Sequence, residues 1–173
     1  MRFEAQTDAL TGLPNRRALL VAVERAIGRF VFHGEPASVL FADIDHLKPV
    51  NDTFGHSVGD VVLERIARAL RERLRRTDLL CRYGGEQFVA LLPDTGPDGA
   101  VLIAEDLRRR IAELDLEGPA GSLPVRISIG VAVLSDSYAT AESLLAQADG
   151  AMYRAKHEGR NRVAVAEAEP GRS

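Results

Sequence analysis

Arg82-Tyr83-Gly84-Gly85-Glu86-Gln87-Phe88 sits between two short apolar runs, Asp78-Leu79-Leu80-Cys81 before it and Val89-Ala90-Leu91-Leu92 after it. Runs of that length read as strands. Two glycines between strands read as a tight hairpin turn, because Gly alone enters φ > 0 without steric cost. Glu86 projects a carboxylate from the rim of that turn beside an apolar strand. A Gly pair also lets another backbone or a phosphate come close, since no Cβ stands in the way. Two readings are open for the stretch by itself: an ordinary hairpin with polar decoration, or a phosphate-facing turn carrying a functional carboxylate.

Working outward, the N-terminal side begins with Thr7-Asp8-Ala9-Leu10-Thr11-Gly12-Leu13-Pro14, rich in turn formers, and then Asn15, a helix N-cap residue. Leu19, Val23, Ala26, Ile27 and Phe30 recur at helical spacing to about residue 32, and His33-Gly34-Glu35-Pro36 ends the helix. Ala37 to Ile44 is an apolar run of strand length finishing in Asp43-Ile44-Asp45, the pattern of a central strand covered on both faces. Residues 45 to 60 read as a polar, Gly-containing connection. A second helix follows, with Val62, Ile66, Ala69, Leu70 and Leu74 inward and Arg65, Arg68, Arg71, Arg73, Arg75 and Arg76 mostly outward.

Beyond the hairpin, Pro93-Asp94-Thr95-Gly96-Pro97 breaks the chain, and Ile103, Leu107, Ile111 and Leu114 mark a third helix. Glu117 to Ser122 reads as a loop. Val125, Ile127, Ile129, Val131 and Val133 alternate as the clearest strand in the chain. A fourth helix runs from about Ala141 to His157, with Leu144, Leu145, Ala148 and Met152 inward and Gly159 where a C′ glycine belongs. Arg162 to Ala166 is a last short strand, and the tail from Glu167 to Ser173 reads as frayed. With no internal repeat, the 173 residues read as one domain with a core over about 7–166, a central sheet with helices packed on it in an α/β or α+β sandwich.

Composition bounds the function. Hydrophobic content of 46% and charged content of 27% are those of a globular protein, and a net charge of −3 gives no reason to expect a DNA or RNA binder. The single Cys81 cannot form an internal disulfide and reads as a buried small hydrophobe in a reducing compartment, so a cytoplasmic location is expected. No apolar stretch is long enough to span a bilayer. A sensory domain upstream of this chain, membrane-anchored or not, is expected in the natural protein.

Asp43 and Asp45 end a buried strand, and alternation puts them on the same side if the strand stays regular. They read either as turn formers or, with Glu86 on an adjacent strand, as hard oxygen ligands of the kind that hold Mg²⁺ in nucleotide enzymes. In the connection that follows, Lys48 suits phosphate charge. Asn51 with a carboxylate offers acceptors for the N1–H and N2–H₂ edge of guanine. Asp60 reads equally as a helix cap, and His56 as a loop histidine. Lys156 and Arg160 flank the end of the fourth helix, where they complement the helix dipole or reach a triphosphate. Arg75-Arg76-Thr77-Asp78 reads as a capped helix terminus or as a second anion site.

Together these motifs resemble the GGDEF domain of bacterial diguanylate cyclases. The match runs from Asp8-Ala9-Leu10-Thr11-Gly12-Leu13-Pro14-Asn15-Arg16 to Glu158-Gly159-Arg160-Asn161-Arg162, through Asp43-Ile44-Asp45, Lys48, Asn51-Asp52, Gly55-His56, Gly59-Asp60 and the opening stretch. The resemblance implies a fold like class III nucleotidyl cyclase catalytic domains, an α+β sandwich with a mostly antiparallel central sheet flanked by helices. It implies that two GTP molecules are joined into cyclic di-GMP with release of pyrophosphate, across a homodimer. By the same resemblance Asp43, the Ile44 carbonyl and Glu86 hold Mg²⁺, two ions being expected and Mn²⁺ an alternative. Glu86 is then also the general base for the ribose 3′-OH, and Lys48 stabilises charge on the transferring phosphate. Asn51 and Asp60 read guanine, His56 lines the pocket, Lys156 and Arg160 bind phosphates, and the Gly84-Gly85 backbone lies close to the triphosphate. Arg75 and Asp78 match the family's Arg-x-x-Asp product-inhibition motif, which binds cyclic di-GMP.

This chain departs from the family pattern at a few positions. Gln87 stands where the family most often has a second acidic residue, which predicts weaker metal affinity if that charge supports the metals. Asp106 stands where the resemblance suggests a further Arg for the product site, which predicts weaker product inhibition. Leu47 replaces the usual Phe.

Overall fold

The computed structural model describes residues 6–136 and 140–167. Helix α1 (Arg16–His33) starts where expected: the Asn15 side chain accepts from the Ala18 N–H, and Gly34 at φ 68° closes the other end. Strand β1 (Ala37–Asp45) is buried along its whole length, as the near-continuous apolar run predicts. The chain then departs from the sequence reading. Residues 45–60 are not an irregular connection but a helix, α2 (Leu47–Phe54), followed after Gly55 by α3 (His56–Arg73). Pro49 lies in the first turn of α2, where its missing N–H costs nothing. Leu47 and Val50 face inward three residues apart. Because α3 begins at His56, Asp60 lies inside the helix and is not its cap; Gly55 occupies that position, with no side-chain hydrogen bond.

The hairpin is present as β2 (Leu79–Arg82) and β3 (Gln87–Pro93). After it come α4 (Pro97–Ala112), with Pro97 opening the helix, and a two-residue hairpin β4 (Glu117–Gly118) and β5 (Gly121–Ser122) in the segment read as loop. Then follow β6 (Arg126–Val133), α5 (Ala141–His157) and β7 (Val163–Val165). Residues 168–173 of the tail expected to fray lie outside the described residues.

The main sheet runs β2-β3-β1-β6-β7. The first three pairings are antiparallel and β6–β7 is parallel, so the sheet is mixed and mostly antiparallel. Alternate sheet residues feed two cores. Leu40, Ala42, Ile44, Phe88, Ile127 and Ile129 pack under α2, α3 and α4, while Val39, Phe41, Cys81, Val89 and Leu91 pack under α1 and α5. The fold is thus helices, sheet, helices, and β1 lies at its centre. On β6, a Cβ at Gly130 would stand 2.0 Å from the Ala148 carbonyl oxygen and 2.3 Å from the Met152 nitrogen. Glycine there lets the backbone of α5 rest directly on the sheet, which sets the height of every side chain α5 presents.

Candidate active site

The C-terminal end of β1 gathers the acidic residues. Asp43 pairs in register with Gln87 on β3, and the Ile44 N–H donates to the Glu86 carbonyl at 3.1 Å, so the strand adjacency that would bring Asp43 and Glu86 together holds. Asp43 and Asp45 lie on the α5 side of the sheet, and one group binds both. The Lys156 ammonium stands 2.9 Å from Asp43 Oδ1, 3.1 Å from Asp45 Oδ1 and 3.4 Å from the Ile44 carbonyl oxygen. Burial works against charge on Lys156, but the hydrogen bonds and attraction of Asp43 and Asp45 outweigh it and raise its pKa above the ordinary value. Burial, reinforced by the negative charges of Asp43 and Asp45, raises the Glu86 carboxyl above the usual range, with Lys156 pulling the other way.

These oxygens suit a hard cation. Asp43 Oδ1 is buried and, beyond its ion pair with Lys156, has no well-aligned hydrogen bond. It shares the ammonium with the Ile44 carbonyl, so a positive charge already complements the donor set named for Mg²⁺. Gln87 faces the same carboxylate, its Nε2 donating to Asp43 Oδ2 at 3.4 Å. An ionised acid at position 87 would have no proton to donate to Asp43 and would set a second negative charge beside it.

Asp45 has a different part. It is fully buried, and its oxygens accept from Ser128 Oγ at 2.8 and 3.0 Å, from Lys156 Nζ and from the Asn161 N–H at 3.0 Å. It therefore ties β1, β6, α5 and the turn after α5 together. That turn carries Arg160. The Arg160 N–H returns to the Ala155 carbonyl at 3.0 Å, closing a Schellman cap, and residues 159–161 run with φ values of 129°, 63° and 47°.

The Gly84-Gly85 turn is braced from the N-terminus. Arg82 Nη2 donates to the Gly85 carbonyl at 2.8 Å, and Nη1 meets the Asp8 carboxylate at 3.2 Å. Asp8 also accepts from the Thr11 N–H and hydroxyl. The Arg16 guanidinium lies 4.4 Å from the Tyr83 ring centroid, and Tyr83 meets Phe41 edge-on at 5.2 Å. One expectation about the turn fails: neither Gly84 nor Gly85 has positive φ. The four-residue loop closes instead with the Tyr83 and Gly84 N–H groups both donating to the Gln87 carbonyl, at 2.8 and 3.3 Å. Gly85 has open space where its Cβ would be, whereas a Cβ at Gly84 would meet the Gln87 side-chain oxygen at 2.8 Å.

The other predicted residues lie on α2 and α3. Lys48, His56 and Asp60 are exposed, and Asn51 is half-buried. Asn51 lies against Gly59, where a Cβ would come within 1.7 Å of its Oδ1, and that oxygen is buried without a hydrogen-bond partner. An apolar cleft of about 360 Å³ opens between α2 and the β4–β5 hairpin, lined by His46, Val50, Phe54 and Leu123, and none of the predicted residues lines it.

Arg75 and Asp78 sit apart, at the far end of β3 from Gln87, six residues or roughly 20 Å away. Asp78 is buried and accepts from the Arg75 N–H at 2.8 Å and from its guanidinium at 2.7 Å. Arg75 also reaches the Pro93 carbonyl and Thr95 Oγ1. The hydrogen bonds that the Arg75 guanidinium donates to Asp78 raise the Arg75 pKa further. Nearby, Asp106 on α4 binds Arg73 at 2.6 Å and Arg109 at 2.8 Å, so an acid stands among arginines where a further Arg was expected.

Sequence reasoning assigned no role to Asp8 or Arg82, and it read Asp45 as a turn former or a metal ligand, not as a buried tie between elements. Asp8 entered only through the N-terminal turn-forming segment and the matched motif, and nothing along the chain linked it to Arg82.

Known proteins resemble the chain along nearly its whole length. A family model described as diguanylate cyclase, GGDEF domain, matches residues 5–162. The chain is 44% identical over 161 residues to the response regulator PleD of Caulobacter vibrioides, covering 92% of this chain and 36% of PleD. It is 42% identical over 165 residues to diguanylate cyclase DgcP of Pseudomonas aeruginosa, covering 95% of this chain and 24% of DgcP. The chain thus spans about a third or less of these relatives. Among solved structures, the GGDEF domain of DgcB from Caulobacter crescentus in complex with c-di-GMP superposes with a TM-score of 0.89. It is 31% identical, with 97% of this chain and 99% of that one covered.

Proposed function

Because the chain belongs to the GGDEF family of diguanylate cyclase domains, we propose that it joins two molecules of GTP into cyclic di-GMP, releasing two pyrophosphates. What supports this reading is that Asp43 and the Ile44 carbonyl meet at the Lys156 ammonium, with the backbone of Glu86 hydrogen-bonded to Ile44 on the adjoining strand end. Asp43, the Ile44 carbonyl and Glu86 would hold Mg²⁺, with Mn²⁺ as an alternative. When bound, the metal supplies charge neutralisation at the α-phosphate and acidifies the attacking hydroxyl. Glu86 takes the ribose 3′-OH proton as that oxygen bonds to the α-phosphorus of the second GTP and pyrophosphate leaves.

Lys48 offsets charge on the transferring phosphate, and Lys156 and Arg160 bind phosphate oxygens. Asn51 and Asp60 read guanine; Asn51 is half-buried beside Gly59, and its Oδ1 has no hydrogen-bond partner of its own. His56 lines the same pocket. Each domain holds one GTP, so two copies must face each other about a two-fold axis.

Arg75 and Asp78 form the product site in this reading. Asp106 engages neighbouring arginines, which supports weak inhibition by cyclic di-GMP. Among the described residues no helix is long and apolar enough to cross a membrane, and we place the domain in the cytoplasm with its GTP. Control by an input domain belongs to the same reading, since the relatives extend well beyond the matched segment.

A second reading follows from one contact. Gln87 donates to Asp43 and brings no charge, which favours a weakened domain that binds GTP or cyclic di-GMP and signals to a partner. Incubation with GTP and Mg²⁺, followed by assay of cyclic di-GMP and pyrophosphate, separates the two. The cyclase reading expects product; GTP binding without product at high protein concentration would sink it. Product appearing only in Gln87→Glu would assign the loss to the missing charge. Competition between ATP and GTP tests the guanine assignment.

A further inference from the structure

Helix α4 carries none of the residues assigned above to metal, base or phosphate, yet one of its side chains reaches the turn that presents Arg160. Arg108 Nη1 donates to Asn161 Oδ1 at 3.2 Å, while its Nε binds Glu105 Oε2 at 3.0 Å. The side chain is 21% exposed, so it lies along the protein surface instead of extending into solvent. Asn161 is held from the other side by the buried Asp45, which takes its backbone N–H at 3.0 Å. The same carboxylate takes the Lys156 ammonium. Asn161 is therefore gripped between a carboxylate on β1 and a guanidinium on α4, one residue beyond Arg160.

The backbone explains why two grips are needed. Arg160 and Asn161 are consecutive non-glycine residues in the left-handed region, at φ 63° and 47°. L-residues adopt that region rarely, and it persists where surrounding contacts over-determine it. The Schellman bond fixes the Arg160 N–H and the Asp45 bond fixes the Asn161 N–H. Arg108 adds a hold on the Asn161 side chain from a separate element.

We propose that Arg108 is a positioning residue for the phosphate end of the nucleotide site, acting through Asn161 to fix the direction in which Arg160 leaves the turn. This rests on the GTP reading above and adds to it a residue of α4. Arg108 holds the turn that holds the triphosphate, so its effect falls on how tightly the ground state is bound and hence on KM, with little change in kcat.

The test compares Arg108→Ala, Asn161→Gly and the double variant. Glycine at 161 keeps the left-handed backbone and the N–H on Asp45 but removes Oδ1. Each single variant should raise KM for GTP, and the Kd of a non-hydrolysable GTP analogue, roughly three- to tenfold, as suits a partly exposed charged hydrogen bond. kcat should stay within about twofold, and the double variant should match either single one. Arg108→Lys should rescue little, because an ammonium cannot hold Glu105 and Asn161 in the same fork. Unchanged analogue binding in Arg108→Ala, additive effects in the double variant, or full rescue by lysine would each overturn the inference while leaving the cyclase reading intact. A wild-type protein that fails to bind the analogue would overturn the GTP reading itself, and this inference with it.

Discussion

The two ends of the candidate site are built on different terms. Around Asp43 and Asp45, Lys156, Ser128, Asn161 and Gln87 engage the carboxylates, and the groups come from β1, β3, β6, α5 and the turn after it. At the α2–α3 end, Lys48, His56 and Asp60 stand exposed on helices, and Asn51 keeps a buried acceptor without a partner. One end is held by the fold before any ligand arrives; the other presents mostly solvated groups that a ligand can engage in place of water. Preorganised charge lowers the cost of reaction because little need move when charge develops. Groups left open instead provide selectivity, since a wrong base leaves them unsatisfied. Substitution of Asp45 should therefore disturb folding and chemistry together, and substitution of Asn51, His56 or Asp60 only recognition.

The largest effect is expected at Glu86. Glu86→Gln should lower cyclic di-GMP formation by about 10²- to 10⁴-fold with the fold intact, measured as initial rate at saturating GTP. Next comes a direct contrast in stability. Asp45→Ala strands the Ser128 hydroxyl and the Asn161 N–H and leaves Lys156 with one carboxylate, and should cost about 3–5 kcal/mol in denaturant unfolding. Asp60→Ala at the open end should stay within about 0.5 kcal/mol. Equal losses would break the comparison.

A third effect, smaller again, sharpens the open end. Asn51→Ala should raise KM for GTP by roughly 10- to 100-fold, about 1–3 kcal/mol, and narrow the preference for GTP over ATP without lowering the unfolding midpoint. The smallest concerns the brace under the hairpin. Burial would raise the Asp8 carboxyl, but the Thr11 hydroxyl and N–H and the Arg82 guanidinium outweigh it and hold it below the ordinary value of 3.8. A depressed folded pKa means the unfolded state binds the proton more readily. The stability Asp8 contributes is thus complete above the ordinary value and lost as pH falls through the lower folded one. Wild type should exceed Asp8→Asn in unfolding midpoint at neutral pH, and the gap should close in acid. A gap that stays constant down to pH 2 would remove Asp8 from the brace.

What the sequence disclosed tracks how local each cause is. The apolar run 37–44 read as a central strand, and Asn15 as the cap of the helix it precedes, because periodicity and capping act within a few residues. Helix α2 was hidden because its polar residues and Gly55 read as loop, while its inward pair, Leu47 and Val50, is too short a pattern to count. The hairpin was located correctly for a reason the structure replaces: Gly84 makes room beside the Gln87 side chain, and neither Gly84 nor Gly85 has positive φ. Asp45 shows the limit most clearly. Its partners Ser128 and Asn161 lie 83 and 116 residues along the chain, a distance no spacing rule spans. Arg108, 53 residues from Asn161, was invisible for the same reason.

Cys81 is fully buried on β2, and burial pushes its thiol pKa up to about 12. At neutral pH roughly one thiol in 100,000 is ionised, and a reagent in solvent has no path to it while β2 remains paired with β3. As the chain's one cysteine, it serves as a clock for that strand: the rate at which a thiol reagent consumes it counts the openings of the hairpin edge. Arg82, the next residue, clamps the Gly85 carbonyl, so the clock sits one residue from the brace of the glycine turn.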